Sequence, residues 1–336
     1  MAGYRLEQGR ARRRLRRCWF SAGIMPLFMA AACESQVPPT MEVVLPSGVP
    51  APSLELPPEV EGADLLHETE RDWAIARGTV AWARGIGLDI RPIGEAMAVI
   101  ARSFVGTPYA PGTLEIPGPE GLVVHLRTFD CVTLVEHVLV LGRLTVAIDD
   151  GFLDDETAFR DRYRSELTAV RYRGGMLSGY QSRLHYFSEW IRDGGAKGLI
   201  RPISESLGGI RDPRPIHFMS DHPESYRQVS EDPAVLGEIA RMEERLTAEP
   251  RFYIPEDRIA DLAAGIQDGD IIAAVSSLDG LDVAHTGIAL WQGDQLHLLH
   301  APLVGDSVEV SELPLADRIQ GFSSQMGIMV ARPIQP

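Results

Sequence analysis

Three stretches of the chain have apolar residues at helical spacing. Residues 63–84 and 93–104 show this spacing, and residues 132–144 are mainly apolar. Asp130 precedes the third stretch. Asp is favoured at a helix N-terminus because its side chain accepts hydrogen bonds from unpaired N–H groups of the first turn. The pattern therefore predicts three helices, the last beginning beside Cys131.

The C-terminal third of the chain has a different pattern. Short runs that are β-branched or alternate in polarity cover residues 271–275, 283–291, 295–301 and 307–310, with turn residues between them. Residues 153–255, by contrast, mix helical stretches with glycine pairs and loops. Helices first and strands later predict an α+β fold, in which a helix packs on an antiparallel sheet.

The hairpin between the second and third runs predicts which histidines meet. A two-residue turn at Gly293-Asp294 fixes the pairing of its two strands. His285 and His300 then lie diagonally on one face, with their Cβ atoms roughly 7 Å apart, whereas His297 lies on the other face. The alternative is that these are unrelated strand histidines. If the register is correct, His285 and His300 form a candidate pair for proton transfer near neutral pH.

Composition places the chain among folded globular proteins. Of its 336 residues, 45% are hydrophobic and 24% are charged, which excludes a wholly disordered or collagen-like chain. Lys and Arg number 32 against 47 Asp and Glu, so the net charge is −15. This acidic balance argues against nucleic acid as a partner, because nucleic-acid binding relies on basic side chains that contact phosphates.

The N-terminus has the pattern of a bacterial signal peptide. Seven arginines precede an apolar stretch over residues 18–32. Ala30-Ala31-Ala32-Cys33 resembles the lipobox of bacterial lipoproteins, in which the cysteine becomes the lipidated first residue. We expect residues 1–32 to be a signal peptide and Cys33 to anchor the protein to the membrane, as a periplasmic lipoprotein of the cell envelope. Cleavage without lipidation and a retained, uncleaved anchor are the alternatives.

The composition after the signal peptide divides the mature chain in two. Residues 33–62 contain seven prolines and little periodicity, which predicts a tether. Residues 63–336 contain no second proline-rich break and no internal repeat. They are predicted to form a single domain.

The cysteines have separate expected fates. Cys18 would leave with the signal peptide and Cys33 would be acylated, so Cys131 would remain as the unpaired thiol of an exported protein. The first turn of a helix favours a thiolate, because backbone N–H groups and the helix dipole stabilise negative charge there. Cys131 is therefore either a nucleophile or a small buried hydrophobic residue.

Two sets of motifs carry a resemblance to known families. The first set resembles the NlpC-type cell-wall cysteine peptidases of the papain-like clan, and consists of Asp130-Cys131, Gly269-Asp270-Ile271-Ile272, His285-Thr286-Gly287-Ile288-Ala289-Leu290 and His300-Ala301. The second set resembles the bacterial N-acetylmuramoyl-L-alanine amidase-like family, and consists of Gly106-Thr107-Pro108-Tyr109, Gly112-Thr113-Leu114-Glu115, Ser182-Arg183-Leu184-His185-Tyr186-Phe187 and Phe218-Met219-Ser220. Together the motifs extend from about residue 95 to 332.

The resemblance implies a fold and a catalytic triad. The fold would be papain-like and NlpC-type, with a large helical insertion at about 153–255 between the cysteine and the first histidine. Cys131 would be the nucleophile, His285 the general base and then acid, and His300 the residue that orients His285. No cofactor and no metal are implied.

Four further residues are weaker candidates for substrate or oxyanion contacts. Tyr109 resembles a tyrosine that approaches the active site in this superfamily, or is simply a half-buried loop residue. Asp130 is first an N-cap, and a carboxylate there is also suited to a substrate amine. Arg183 and His185 are candidates to line the cleft, with the alternative that Arg183 only forms a local ion pair.

The sequence thus predicts an exported cysteine hydrolase that cleaves an amide bond of peptidoglycan. Two bonds fit the prediction: the lactyl amide between muramic acid and L-Ala, and the link from γ-D-Glu to the diamino acid. A non-catalytic lipoprotein that binds muropeptides is the alternative from another class.

Overall fold

The structure, a computed structural model, describes residues 51–303 and 306–336. The predicted signal peptide, Cys33 and residues 34–50 of the predicted tether lie outside the described residues. The described residues all belong to one compact unit. None of the helices described is both long enough and apolar enough to cross a membrane.

Local capping decides where the predicted helices begin. Thr69 and Asp72 exchange side-chain and backbone hydrogen bonds, so the first helix begins after Thr69, later than the apolar pattern predicted. The other two predicted helices are present with nearly the predicted bounds. The helices of the described residues are α1 (Glu70–Gly85), α2 (Ile93–Ser103), α3 (Cys131–Ala147), α4 (Glu156–Arg171), α5 (Phe187–Ala196), α6 (Phe218–Asp221), α7 (Arg227–Glu231), α8 (Pro233–Ala248), α9 (Ile259–Leu262) and α10 (Leu315–Gln320).

The strands of the described residues form one antiparallel sheet. They are β1 (Ile200–Pro202), β2 (Ile210–Asp212), β3 (Arg251–Pro255), β4 (Ile271–Ser276), β5 (Val283–Gln292), β6 (Gln295–His300), β7 (Glu309–Val310) and β8 (Gln325–Pro333). Their order is β2-β3-β8-β4-β5-β6-β7, and β1 also pairs with β8. The predicted α+β class with helices and an antiparallel sheet is confirmed.

The hydrophobic pattern missed four strands. β8 lies near the middle of the sheet and is buried along most of its length, so it has no alternation of polar and apolar residues. β1 and β2 have three residues each, too few to show a period. β1, β2 and β3 fall within 153–255, so the segment predicted as a helical insertion also contributes three strands to the sheet.

The two faces of the sheet are covered by different helices. Ile271 and Ile288 pack in a core with residues of α1 to α5. Ile272 and Ala289, their neighbours along the strands, pack in a second core that includes Ile319 of α10. Alternate residues of a strand point to opposite faces, so each central strand contributes to both cores.

A buried ion pair fixes α4 against α3. Arg171 Nε donates to the Glu136 carboxylate over 2.7 Å, and Arg171 Nη1 donates to the Val123 carbonyl over 2.6 Å. Both charged side chains are almost fully buried. Removing one partner of such a pair leaves an uncompensated buried charge, so the contact specifies how the helix that begins at Cys131 sits in the core.

The turn before β4 explains one of the sequence motifs. Gly269 has a φ of 81°, in the left-handed region. A Cβ at this position would lie 2.0 Å from the carbonyl oxygen of Gly94 in α2. Both the backbone conformation and the close approach of α2 to the sheet therefore require glycine.

The end of the predicted tether is packed on the domain. The carbonyl of Pro57 accepts a hydrogen bond from Arg71 over 2.9 Å. Leu54 packs against the first core, close to Gly78 of α1. Residues 51–62 of the predicted tether therefore contact the domain, because an apolar side chain among the prolines packs on the helix surface.

Candidate functional site

The start of α3 is fixed by Asp130. One carboxylate oxygen of Asp130 accepts hydrogen bonds from the backbone N–H groups of Val132 and Thr133, over 3.0 and 2.8 Å. The Thr133 hydroxyl accepts in return from the N–H of Asp130 over 2.9 Å. The predicted capping role of Asp130 is confirmed, and Cys131 is the first residue of the helix.

Thr286 connects the helix start to the sheet. Its hydroxyl donates to the backbone carbonyl of Cys131 over 2.8 Å. This bond ties the first residue of α3 to β5 and brings His285 to within one residue of the contact. Cys131 itself is a free cysteine with partial exposure to solvent.

The protein raises the pKa of the Cys131 thiol to about 11. Burial is the largest cause and the charge of Asp130 adds to it, while hydrogen bonds from Thr286 and from the backbone N–H of Cys131 oppose them. The direction differs from the thiolate expected at a helix start, because desolvation outweighs the helix N-terminus. The thiol is therefore protonated at neutral pH and needs a base to become a nucleophile.

The two histidines of the hairpin are in contact. Strand pairing between β5 and β6 follows the register predicted from the turn, which is confirmed. His285 Nε2 and His300 Nδ1 lie 2.9 Å apart, with the rings nearly perpendicular. His297 is bonded elsewhere, through its Nδ1 to the Ser311 carbonyl over 2.8 Å. Among the described residues, no hydrogen bond joins the Cys131 thiol to His285.

Both imidazoles are neutral at pH 7. Burial lowers the pKa of His285 to about 3, with a smaller contribution from the positive charge of Arg318. Burial also lowers the pKa of His300 to about 2, with contributions from His285 and Arg318. The site thus combines a neutral thiol with two neutral imidazoles, a state in which His285 is able to accept a proton.

Tyr109 lies within electrostatic range of Cys131 and Asp130. Burial raises the pKa of the Tyr109 phenol to about 12, and the negative charges of ionised Cys131 and Asp130 add to the shift. The loop is held in place by a backbone bridge between Tyr109 and Phe129, just before the helix cap. Its hydroxyl therefore remains a hydrogen-bond donor at neutral pH.

Arg183 and His185 are both bonded to groups of the protein, Arg183 to two glutamates that precede α3 and His185 to a neighbouring carbonyl. Arg183 donates to Glu120 through Nε and Nη2, over 2.9 and 2.8 Å, and to Glu115 through Nη1 over 2.7 Å. His185 Nε2 lies 2.8 Å from the Tyr180 carbonyl. For Arg183 the structure favours the alternative of a local ion pair, since three of its guanidinium nitrogens are already bonded.

His217 and His222 do not belong to a metal-binding cluster among the described residues. His217 Nδ1 lies 2.7 Å from the Asp221 carboxylate, and His222 Nδ1 lies 2.8 Å from the Phe218 carbonyl. Their short spacing in the sequence lacks a zinc signature. In the part of the chain that the structure describes, no group of three or more His, Cys, Asp or Glu residues is placed to hold a metal ion.

Three residues near the histidine pair had no predicted role. Thr286 stood in a quoted motif without an assigned role. The Glu309 carboxylate lies 3.7 Å from His300 Nε2, an atom that is buried and has no hydrogen-bond partner among the described residues. Arg318, in α10, affects the pKa of both imidazoles. No local spacing rule connects Glu309 or Arg318 to His285.

Solved structures share this architecture. An N-acetylmuramoyl-L-alanine amidase from Bacteroides uniformis is 33% identical, with a TM-score of 0.67, and the match covers 72% of this chain and 99% of that chain. A Bacteroides fragilis chain described as a candidate xylanase is also 33% identical, with a TM-score of 0.63 and coverage of 69% and 98%. A Legionella pneumophila protein is 19% identical, with a TM-score of 0.55 and coverage of 77% and 94%, and is similar in fold alone.

Sequence comparison defines the family. No protein among the curated sequences matches this chain. The sequence model of the N-acetylmuramoyl-L-alanine amidase-like family matches residues 99–326, more than half of the chain and the segment that holds Cys131, His285 and His300. The chain therefore belongs to the N-acetylmuramoyl-L-alanine amidase-like family.

Proposed function

We propose that this protein is an exported cysteine hydrolase that cleaves an amide bond of peptidoglycan, with Cys131, His285 and His300 as its catalytic residues. The observation that carries the proposal is the contact between His285 Nε2 and His300 Nδ1, on the strand that Thr286 ties to Cys131. The family and the B. uniformis amidase support a cell-wall amide as substrate.

The groups that contact His285 and His300 indicate which nitrogen of each imidazole carries the proton. His300 Nε2 faces the Glu309 carboxylate, so a proton on Nε2 is favoured there. His300 Nδ1 then accepts a hydrogen bond from the Nε2–H of His285. This tautomer leaves the lone pair of His285 on Nδ1, which is the form of the ring required for a general base.

The reaction proceeds by acylation and hydrolysis. The thiol gives its proton to Nδ1 of His285, while the sulfur attacks the amide carbon. The backbone N–H of Cys131 donates to the oxyanion. His285 returns the proton to the leaving amine and the C–N bond breaks. Water, deprotonated by His285, then attacks the thioester and releases a carboxylic acid and the free thiol.

Glycoside hydrolysis and muropeptide binding without catalysis require different groups from amide hydrolysis. Glycoside hydrolysis, implied by the description of the B. fragilis neighbour, usually needs two carboxylates around the scissile bond. Of the carboxylates near the site, Asp130 is bonded as the cap of α3 and Glu309 faces His300. A non-catalytic muropeptide-binding lipoprotein is favoured by one observation, the raised pKa of the Cys131 thiol. The paired histidines favour the enzyme, since binding alone does not require them.

The family name favours the lactyl amide between muramic acid and L-Ala as the bond that is cut. The γ-D-Glu link to the diamino acid is the alternative. The antiparallel sheet under the helix that begins at Cys131 supports a papain-like, NlpC-type fold. Residues 1–32 support export, and Cys33 supports a lipid anchor in the cell envelope.

Mass spectrometry of defined muropeptides tests the proposal. Wild-type protein should release either a peptide with a free L-Ala amine or one that begins with the diamino acid, which identifies the bond. Cys131→Ala should release neither, with little change in melting temperature because a small side chain is replaced at the first residue of α3. Turnover by Cys131→Ala would contradict the assignment of the nucleophile, and no turnover by the wild type would favour the binding protein.

A further inference from the structure

The Arg318 guanidinium, near the site, has no hydrogen-bonded partner among the described residues. Its Nη1 is buried without a hydrogen-bond partner there. Within residues 51–303 and 306–336, its side chain forms no hydrogen bond and no ion pair closer than 4 Å. By contrast, the buried residues Arg171 and Arg183 are both bonded to glutamates. Arg318 therefore differs from the arginines that hold the fold together.

The guanidinium of Arg318 lies within electrostatic reach of the three catalytic candidates. Its charge lowers the pKa of His285 and of His300. Burial lowers the pKa of Arg318, and the negative charges of Glu309 and ionised Cys131 oppose that shift. The charge of Arg318 therefore acts on the region around the thiol and the two histidines.

The surroundings of Arg318 hold the guanidinium in place. Leu315 and Ile319 of the same helix are fully buried in the second core. The guanidinium carbon lies 5.0 Å from the centre of the Phe322 ring, in a cation–π arrangement. An arginine held in this way loses little additional freedom when it binds a ligand, which favours binding.

Glu309, a carboxylate whose charge acts on Arg318, does not occupy the hydrogen-bond donors of the guanidinium. Glu309 lies near His300, is half exposed and forms no ion pair with Arg318. A partly buried guanidinium without hydrogen bonds has lost hydration that no protein group replaces. Its planar arrangement of N–H groups matches a carboxylate, which it binds through two parallel hydrogen bonds.

We propose that Arg318 binds the free α-carboxylate of D-glutamate in the peptidoglycan stem peptide and makes the site selective for it. The inference rests on the proposed function. A γ-linked glutamate keeps its α-carboxylate, and this residue lies within two residues of both candidate scissile bonds. Arg318, rather than Arg183, would thus be the arginine that contacts substrate.

Binding measurements in the Cys131→Ala protein test this inference without turnover. The probes are muramyl tripeptides that differ at one group, with D-glutamate in one and D-isoglutamine in the other. We expect the carboxylate probe to bind at least about tenfold more tightly, the range of a charge-assisted hydrogen bond. Arg318→Met should abolish this preference, and Arg318→Lys should retain part of it. Arg241→Met, at an exposed arginine of α8, is the matched control and should leave the preference unchanged.

The outcomes separate the inference from the proposed function. An undiminished preference in Arg318→Met, or an equal loss of affinity for both probes, would overturn the role of Arg318 alone. If Arg318→Met does not fold, Arg318→Lys provides the test through the ratio of its affinities for the two probes. An unchanged ratio with weaker binding of both probes would show a structural role and overturn the inference. If neither probe binds the parent protein and the wild type cleaves neither, the proposed function fails together with the inference.

Discussion

The Glu309 carboxylate ends a series of polar groups that begins at His285. It lies 3.7 Å from the buried Nε2 of His300, which contacts His285 through its other nitrogen. Glu309→Gln should lower kcat about tenfold with little change in KM, because His300 would hold the His285 tautomer less strictly. Glu309→Asp should restore part of kcat.

Steady-state kinetics on a defined muropeptide checks the role of Glu309. Glu312→Gln, at an exposed glutamate nearby, is the control. An equal rise of KM in Glu309→Gln and Glu309→Asp without loss of kcat would contradict a positioning role.

The protonation of Cys131 predicts a pH dependence. The pKa of the thiol is raised to about 11 and that of His285 is lowered to about 3, so the neutral pair predominates between these values. The rate of alkylation of Cys131 by iodoacetamide should therefore rise continuously from about pH 6 to about pH 10, as the thiolate fraction grows. A rate that is already maximal at about pH 6 would indicate an ion pair of thiolate and imidazolium instead.

At the scale of elements, one hydroxyl joins the helix of the nucleophile to the strand of the base. Thr286 donates to the Cys131 carbonyl, and Thr286→Val removes this bond while it keeps the shape of the side chain. We expect about 1 kcal/mol less stability and a larger relative loss of kcat. Thr168→Val, which removes a hydroxyl bond within α4, is the matched control.

Urea unfolding and kcat, measured on both threonine variants, separate stability from alignment. A loss of stability alone, equal in Thr286→Val and Thr168→Val and without a change in kcat, would show that the contact does not align the site.

Elements with local signals were predictable, and those fixed by distant contacts were not. Asp130 and the turn at 293–294 act within a few residues, so the helix start and the contact between His285 and His300 followed from the sequence. β8 is buried on both faces and lacks the alternation that identifies a strand. Arg318 reaches the site through α10, whose position depends on tertiary packing.

At the scale of the molecule, buried neutral histidines make the fold sensitive to acid. Burial lowers the pKa of five histidines among the described residues: His125, His137, His185, His285 and His300. The unfolded chain binds protons at these groups near pH 6.5, and the folded chain does not. Their contribution to stability is complete above pH 6.5 and is lost as the pH falls towards about 3, the value for His185 and His285.

Urea unfolding at several pH values checks this dependence. The urea concentration at half-unfolding should fall as the pH is lowered from about 6.5 to about 4. It should fall less steeply in His185→Gln, which removes one of the buried histidines. A midpoint that stays constant over this interval would contradict the neutral state of these rings.

The N-terminus gives a prediction about location. If Cys33 is acylated, Cys33→Ser should move the protein from the membrane fraction to the soluble fraction and leave hydrolysis of soluble muropeptides unchanged. Cys18→Ser, within the predicted signal peptide, should not alter the distribution. A wild-type protein that is already soluble would reject the lipid anchor.

The position of β8 couples two distant parts of the described sequence. β8 lies between β3 and β4, so it fills a central place in the sheet although it follows the other described strands in the sequence. β4, which pairs with the strand of His285, has β8 as its second neighbour. Removal of β8 would therefore leave β4 with one unpaired edge directly beside the strand that carries His285.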